Sequence, residues 1–225
     1  MTGEIRIYCE NKQSYVKVAM GYTLSELASQ VYPDSRLENG LPVLAALVDN
    51  KLKGLDYRIM NPHQVEFIGY SHPDGRRTYI RSLCFVLQYV AREMFPDKIL
   101  AIDYALPSGL YCELREDRTR EDGRPSIHRL RDSELEEMER RMREIVAADL
   151  PFGKASMSAE ECALIFGRNR QKEKVNLLKS IGRFHYSVYT LAGQYDTFYG
   201  PLTASTGVLH TFSIAGFHDG FCLQY

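Results

Sequence analysis

Apolar and polar positions alternate at the start of the chain. Ile5 and Ile7 mark a strand over Glu4–Cys9, and Tyr15–Val18 supplies a second short run, so the two predict a hairpin. The period then changes: Leu24, Leu27, Ala28 and Val31 recur at the three-and-four spacing of one helical face, and Pro33 stops the helix. Thr23 and Glu26 open it as a capping box, in which the hydroxyl accepts the Glu26 amide and the carboxylate returns to the Thr23 amide. Beyond it, Val43–Val48 predicts a buried strand, Asp49–Lys51 a turn, Leu52 a short strand and Val65–Ile68 a closing one. The order ββαβ(β)β is that of a ubiquitin-like β-grasp over residues 1–70.

Ser71–Gly75 is rich in turn formers, so residues 71–77 read as a hinge. From Thr78 to Phe95, Ile80, Leu83, Cys84, Leu87, Val90, Ala91 and Met94 predict a long helix before Pro96. Ile99–Ala105 and Gly109–Leu114 read as a strand pair, and the charge-dense Arg115–Pro125, lacking any period, as a solvated loop. Ser133 and Glu136 form a second capping-box pattern. Its helix turns Leu135, Met138, Met142, Ile145 and Val146 inward and offers the pairs Glu136–Arg140, Glu137–Arg141 and Glu139–Arg143. Ser158 and Glu161 head a third helix through Cys162–Phe166, ending at Gly167; Lys172–Ile181 is a fourth. Ser187–Leu191, Val208–Ile214 and Gly220–Tyr225 read as strands. Strand-rich ends around central helices predict, over 78–225, an α+β domain with a mainly antiparallel sheet. The sequence stops at Tyr225 inside a predicted strand, as a piece of a longer protein would.

Composition narrows the classes. With 44% hydrophobic and 25% charged residues and a formal net charge of −1, the chain carries no global basic field, so RNA is not the expected partner. No run reaches the roughly 18 apolar residues of a membrane span, and the start lacks a leader's apolar core; a cytoplasmic protein is expected. Cys9, Cys84, Cys112, Cys162 and Cys222 are scattered with no CxxC pair, which predicts buried reduced thiols. The histidines form no HxxxH, HExxH or CxxxH motif, and His185 and His210 read as structural groups. Gly153-Lys154 and Gly167-Arg168 lack the preceding glycine of a phosphate-binding loop.

Gly21–Ala28 and Ala45–Asn50 resemble the helix and strand-turn of the TGS domain of threonyl-tRNA synthetases. Tyr79–Cys84 with Met94–Pro96 resembles the start of that family's editing domain, and Ser108–Glu113, Met138–Val146, Glu161–Phe166, Lys174-Val175, Asp196 and Gly200-Pro201 follow in the same order. The resemblance implies a TGS domain over 1–70 and an editing-like domain over 78–225. Editing in that family relies on HxxxH on the first helix and CxxxH near the end. The matching positions here are Ser82, Val86, Phe198 and Leu202, which cannot jointly ligate a metal, and three of them cannot act as a base. No metal and no ester hydrolysis by that mechanism are therefore expected. Arg81–Phe85, Gly109–Leu114, Leu150–Phe152, Phe198–Leu202 and Ser205–Gly207 further resemble bacterial uridine-kinase-related nucleoside kinases. That likeness implies a P-loop kinase domain after Tyr225, using ATP and magnesium, with this chain as its non-catalytic regulatory or nucleotide-sensing module.

The resemblance also implies a degenerate editing cleft walled by Tyr79, Arg81, Ser82, Tyr111, Lys174, Asp196, Tyr199 and Thr206. Phenol rings for a base, hydroxyls for a ribose and cations for a phosphate would suit a nucleoside or nucleotide. The opposing reading is a hole filled by Val86, Phe198 and Leu202. Two rivals stand beside the kinase module: a trans-editing aminoacyl-tRNA deacylase, and an RNA-binding module with Arg76, Arg77, Arg168, Arg170, Lys172 and Lys174 as its basic stripe.

Overall fold

The computed structural model describes residues 3–119, 125–169 and 171–225. The chain forms two compact units, residues 1–83 with 198–208, and residues 84–197 with 209–225. Among the described residues no helix is long and apolar enough to cross a membrane.

In the first unit, β1 (Glu4–Cys9), β2 (Ser14–Ala19), β3 (Ala45–Val48), β4 (Lys51–Lys53) and β5 (Gln64–Ile68) make one sheet in the order β2-β1-β5-β3-β4. β1 and β5 run parallel at its centre and the other neighbours pair antiparallel. This is the β-grasp arrangement, with α1 (Leu24–Val31) as its helix. Alternation buries Ile5, Ile7 and Cys9 on one face of β1, and these pack with Leu24, Leu27, Ala28, Val65 and Phe67 into a single core. Thr23 caps α1 as expected: its hydroxyl accepts the Glu26 amide at 3.2 Å, and Glu26 accepts the Thr23 amide at 2.7 Å.

α2 (Pro73–Met94) begins five residues before the sequence reading placed it, so residues 73–77 are helical rather than hinge. Proline and aspartate read as turn formers, but Pro73 suits the first helical position and Asp74 the positive end of the helix dipole. Gly75 is required by close approach, because a Cβ there would lie 1.9 Å from the Gly69 carbonyl oxygen.

The second unit holds two sheets. β6 (Ile99–Leu106), β7 (Gly109–Thr119), β8 (Pro125–His128), β12 (Ser213–Phe217) and β13 (Gly220–Gln224) form the order β12-β13-β7-β6, with β8 also paired to β7. β9 (Gly153–Ser158), β10 (His185–Leu191) and β11 (Gln194–Asp196) form the order β11-β10-β9. Pairing within both is antiparallel, as the α+β reading expected. α3 (Asp132–Ala147) packs on β12: Glu139 accepts the Ile214 amide at 2.8 Å, and Arg143 donates to the Phe212 carbonyl at 2.8 Å. α4 (Ala159–Arg168) and α5 (Lys172–Ile181) close a small core of Cys162, Phe166, Leu178 and Val188. All five cysteines are free and buried, and burial pushes the Cys84 thiol up to about 12.

Several local expectations change. Arg115–Thr119 continues β7 and Pro125 opens β8, where a loop was expected; residues 120–124 lie outside the described residues. Charge does not break the strand, because Arg115 is held by Glu113 at 3.0 Å and by Asp103 of β6. α3 starts one residue before Ser133, and Glu134, not Glu136, reaches back to the Arg131 amide at 2.9 Å. On its outer face Glu139–Arg143 pairs as expected, whereas Arg140 and Arg141 both reach Glu144. α4 runs one residue past Gly167, to Arg168. The strand expected over Val208–Ile214 is a one-turn helix at Thr206–Val208 followed by β12, and Leu209 and Phe212, three apart, turn inward instead of alternating.

Candidate functional site

The residues expected to wall one cleft fall in both units: Tyr79, Arg81, Ser82, Tyr199 and Thr206 in the first, Tyr111, Lys174 and Asp196 in the second. In the first unit, the α2 residues Arg81 and Ser82 anchor the segment 198–208. The fully buried Ser82 hydroxyl donates to the Thr78 carbonyl at 2.9 Å and accepts the Thr203 amide at 2.9 Å. Arg81 donates from Nε to the Pro201 carbonyl at 3.1 Å and from Nη2 to the Thr78 hydroxyl at 3.1 Å. Gly200 sits at φ +114°, a conformation that favours glycine, and lies against the Arg81 guanidinium, 2.9 Å from where a Cβ would stand.

The other expected members in this unit differ widely in exposure. Tyr79 is 5% exposed and packs edge-on against Tyr70, ring centres 5.1 Å apart. Thr206 is fully buried, and Tyr199, 84% exposed, stands on the surface rather than in a wall. Leu202 is buried as well. Ser82 therefore holds the fold at the position where the resemblance places a histidine: its proton and an oxygen lone pair serve backbone groups, and neither is left for a water or an ester.

In the second unit, Lys174 and Asp196 do meet. The Asp196 side chain has no exposed surface and accepts from Arg92 at 2.9 Å, from Lys174, and from the Thr197 amide at 2.6 Å. Gln171, its amide oxygen turned to the cations, accepts from Arg92 at 2.7 Å and from Lys174 at 3.3 Å. Arg92 also donates to the Tyr195 carbonyl. One buried carboxylate thus ties α2, β11 and α5 together, with two cations and an amide sharing its charge. Tyr111 lies apart on β7, stacked on Tyr104 at 4.9 Å and edge-on to Phe217 at 5.9 Å. Burial first, then a hydrogen bond with Glu113, raises its phenol well above the ordinary range. Val86 is fully buried in this unit.

Sequence reasoning missed Arg92 and Gln171. Arg92 flanks the apolar stripe of α2 and its partner lies 104 residues on, so no local signal marks the pair. Of the expected basic stripe, Arg77 pairs with Asp74 at 2.5 Å, Arg76 stands over the Tyr70 ring at 5.4 Å, and Lys174 pairs with Asp196. Arg170 lies outside the described residues. Among the described residues, no group of three or more His, Cys, Asp or Glu side chains is placed to hold a metal ion.

Fold and site together define an α+β protein with largely antiparallel sheets. No family model matches the chain. It is 26% identical over 202 residues to the threonine-tRNA ligase of Desulforamulus reducens, covering 88% of this chain and 30% of the relative. Over 200 residues it is 26% identical to that of Symbiobacterium thermophilum, covering 87% and 29%, and over 174 residues 23% identical to that of Coxiella burnetii, covering 77% and 25%. The chain thus spans less than a third of the length of these relatives. They overturn the nucleoside-kinase reading: proteins named for ligating threonine to tRNA match the chain, so uridine kinase, transferase and an attached kinase domain fall away. The same relatives correct the expectation that RNA is not a partner. A net charge of −1 describes the sum over the chain, not the charge of any one surface.

Proposed function

We propose that this chain is an RNA-binding module of the threonyl-tRNA synthetase kind, one that engages tRNA without cleaving an aminoacyl ester. Residues 1–70 act as its TGS domain and residues 78–225 as an editing-like domain whose former catalytic positions hold structure. The observation that carries the reading is Ser82: at a position matching a catalytic histidine stands a fully buried hydroxyl with both of its bonds made to backbone. The similarity to the synthetases along most of the chain supports the choice of tRNA as ligand.

The test combines binding and hydrolysis. The chain is titrated into labelled tRNA over a salt series, then incubated with a mischarged aminoacyl-tRNA. The expected result is binding that weakens steeply with salt, with ester loss no faster than in buffer. Absence of binding at low salt overturns the RNA reading. Hydrolysis abolished by Ser82→Ala overturns the silent site and makes the chain a deacylase.

A further inference from the structure

The outer face of the β1–β2 hairpin carries a combination that the fold does not require. Strand register sets Tyr8 opposite Tyr15 and Arg6 opposite Lys17 on the side away from the core. The two phenol rings lie 5.1 Å apart at 61°, and the Arg6 guanidinium stands 4.5 Å from the Tyr15 ring centre. Tyr15 remains 62% exposed. Arg6 and Lys17 have no ion-pair partner among the described residues, and like charges directly opposite across a strand pair destabilise it. A cation pair without a carboxylate partner, beside one exposed and one half-buried aromatic ring, is therefore a cost that an anion carrying planar groups would relieve. A groove of about 370 Å³ is lined by Arg6, Tyr8 and Tyr15 together with Asp49, His63 and Gln64. Its carboxylate, Asp49, is already engaged by the Gln64 amide at 3.0 Å and by His63 at 2.6 Å.

We propose that this face is a base-stacking platform for single-stranded RNA. Tyr15 and Tyr8 stack successive bases while Arg6 and Lys17 hold the phosphates between them. A duplex buries the faces of its bases within its own stack and offers such rings nothing. The proposal deepens the RNA-binding reading and rests on it for the class of ligand, but names a surface of its own, on the β-grasp sheet.

The experiment uses the full chain and two probes, fluorescein-labelled single-stranded oligouridylate and the same length as duplex, with whole tRNA titrated in parallel. The single strand is expected to bind in preference to the duplex. Tyr15→Ala should weaken it about tenfold, Tyr15→Phe should keep the affinity, and Arg6→Gln should flatten the salt dependence by about one phosphate contact. Because Tyr15 is mostly exposed, its replacement leaves the core intact, which the thermal midpoint checks. Unchanged affinity in Tyr15→Ala, or equal binding of duplex, overturns the platform. If tRNA still binds in that case, the RNA reading survives and its surface lies elsewhere; if wild type binds neither probe nor tRNA, both fall.

Discussion

Asp196 has no exposed side-chain surface, and its charge is met from two directions by Arg92 and Lys174. Removing one member of a buried ion pair leaves the rest desolvated without compensation, which costs more than the pair itself contributes. Asp196→Ala is therefore expected to lower unfolding free energy by about 3 kcal/mol, because it leaves two cations facing each other. Lys174→Met should cost distinctly less, since Asp196 then keeps Arg92 and the Thr197 amide. Denaturant unfolding of the two variants checks the order, and equal losses would mean that Asp196 does not centre the network. A carboxylate so engaged is a poor candidate for ligand binding. Asp196 and Lys174 could be singled out from the chain by resemblance, but their role as a structural tie could not, because it depends on Arg92, far away in sequence.

Helix starts were the most legible elements wherever a hydroxyl stood three residues before a glutamate. Thr23 with Glu26 and Ser158 with Glu161 both close as expected, because the capping box is a local geometry that needs no tertiary help. α3 shows the limit. Arg131 takes the cap position without a hydroxyl, since Glu134 can bind both its amide and its guanidinium. That guanidinium first, and the amide second, lower the Glu134 carboxyl from its ordinary 4.5 to about 2. A depressed carboxyl stabilises the folded chain at pH above its unfolded value, and the contribution is lost as pH falls. The thermal midpoint should thus carry an acid-side slope between about pH 4.5 and about 2 that Glu134→Gln removes. An identical slope in the variant would place the acid sensitivity on other carboxylates. β9 escaped notice although Lys154, Ala155, Ser156 and Met157 alternate between exposed and half-buried, because its small residues make a weak period and its pairing with β10 joins segments some thirty residues apart.

At the scale of the molecule, the main buried cluster of the β-grasp sheet is built, among the described residues, from positions 5–67. A fragment of residues 1–70 is expected to fold by itself and give a dispersed amide spectrum with protected β1 and β5 amides. A collapsed spectrum would show that the sheet depends on the rest of the unit, residues 71–83 and 198–208. What the amino-acid sequence determined by itself was most of what strong local period carries: the β-grasp strands and their order, the main helices, two of the caps and the α+β class. Tertiary structure decided which polar groups are free to do chemistry. Hydrogen-bond saturation depends on partners more than a hundred residues apart, as Ser82 with Thr203 and Arg92 with Asp196 show. No spacing rule registers such a closure, so the same serine or aspartate reads as a site in the chain and as a fastening in the fold.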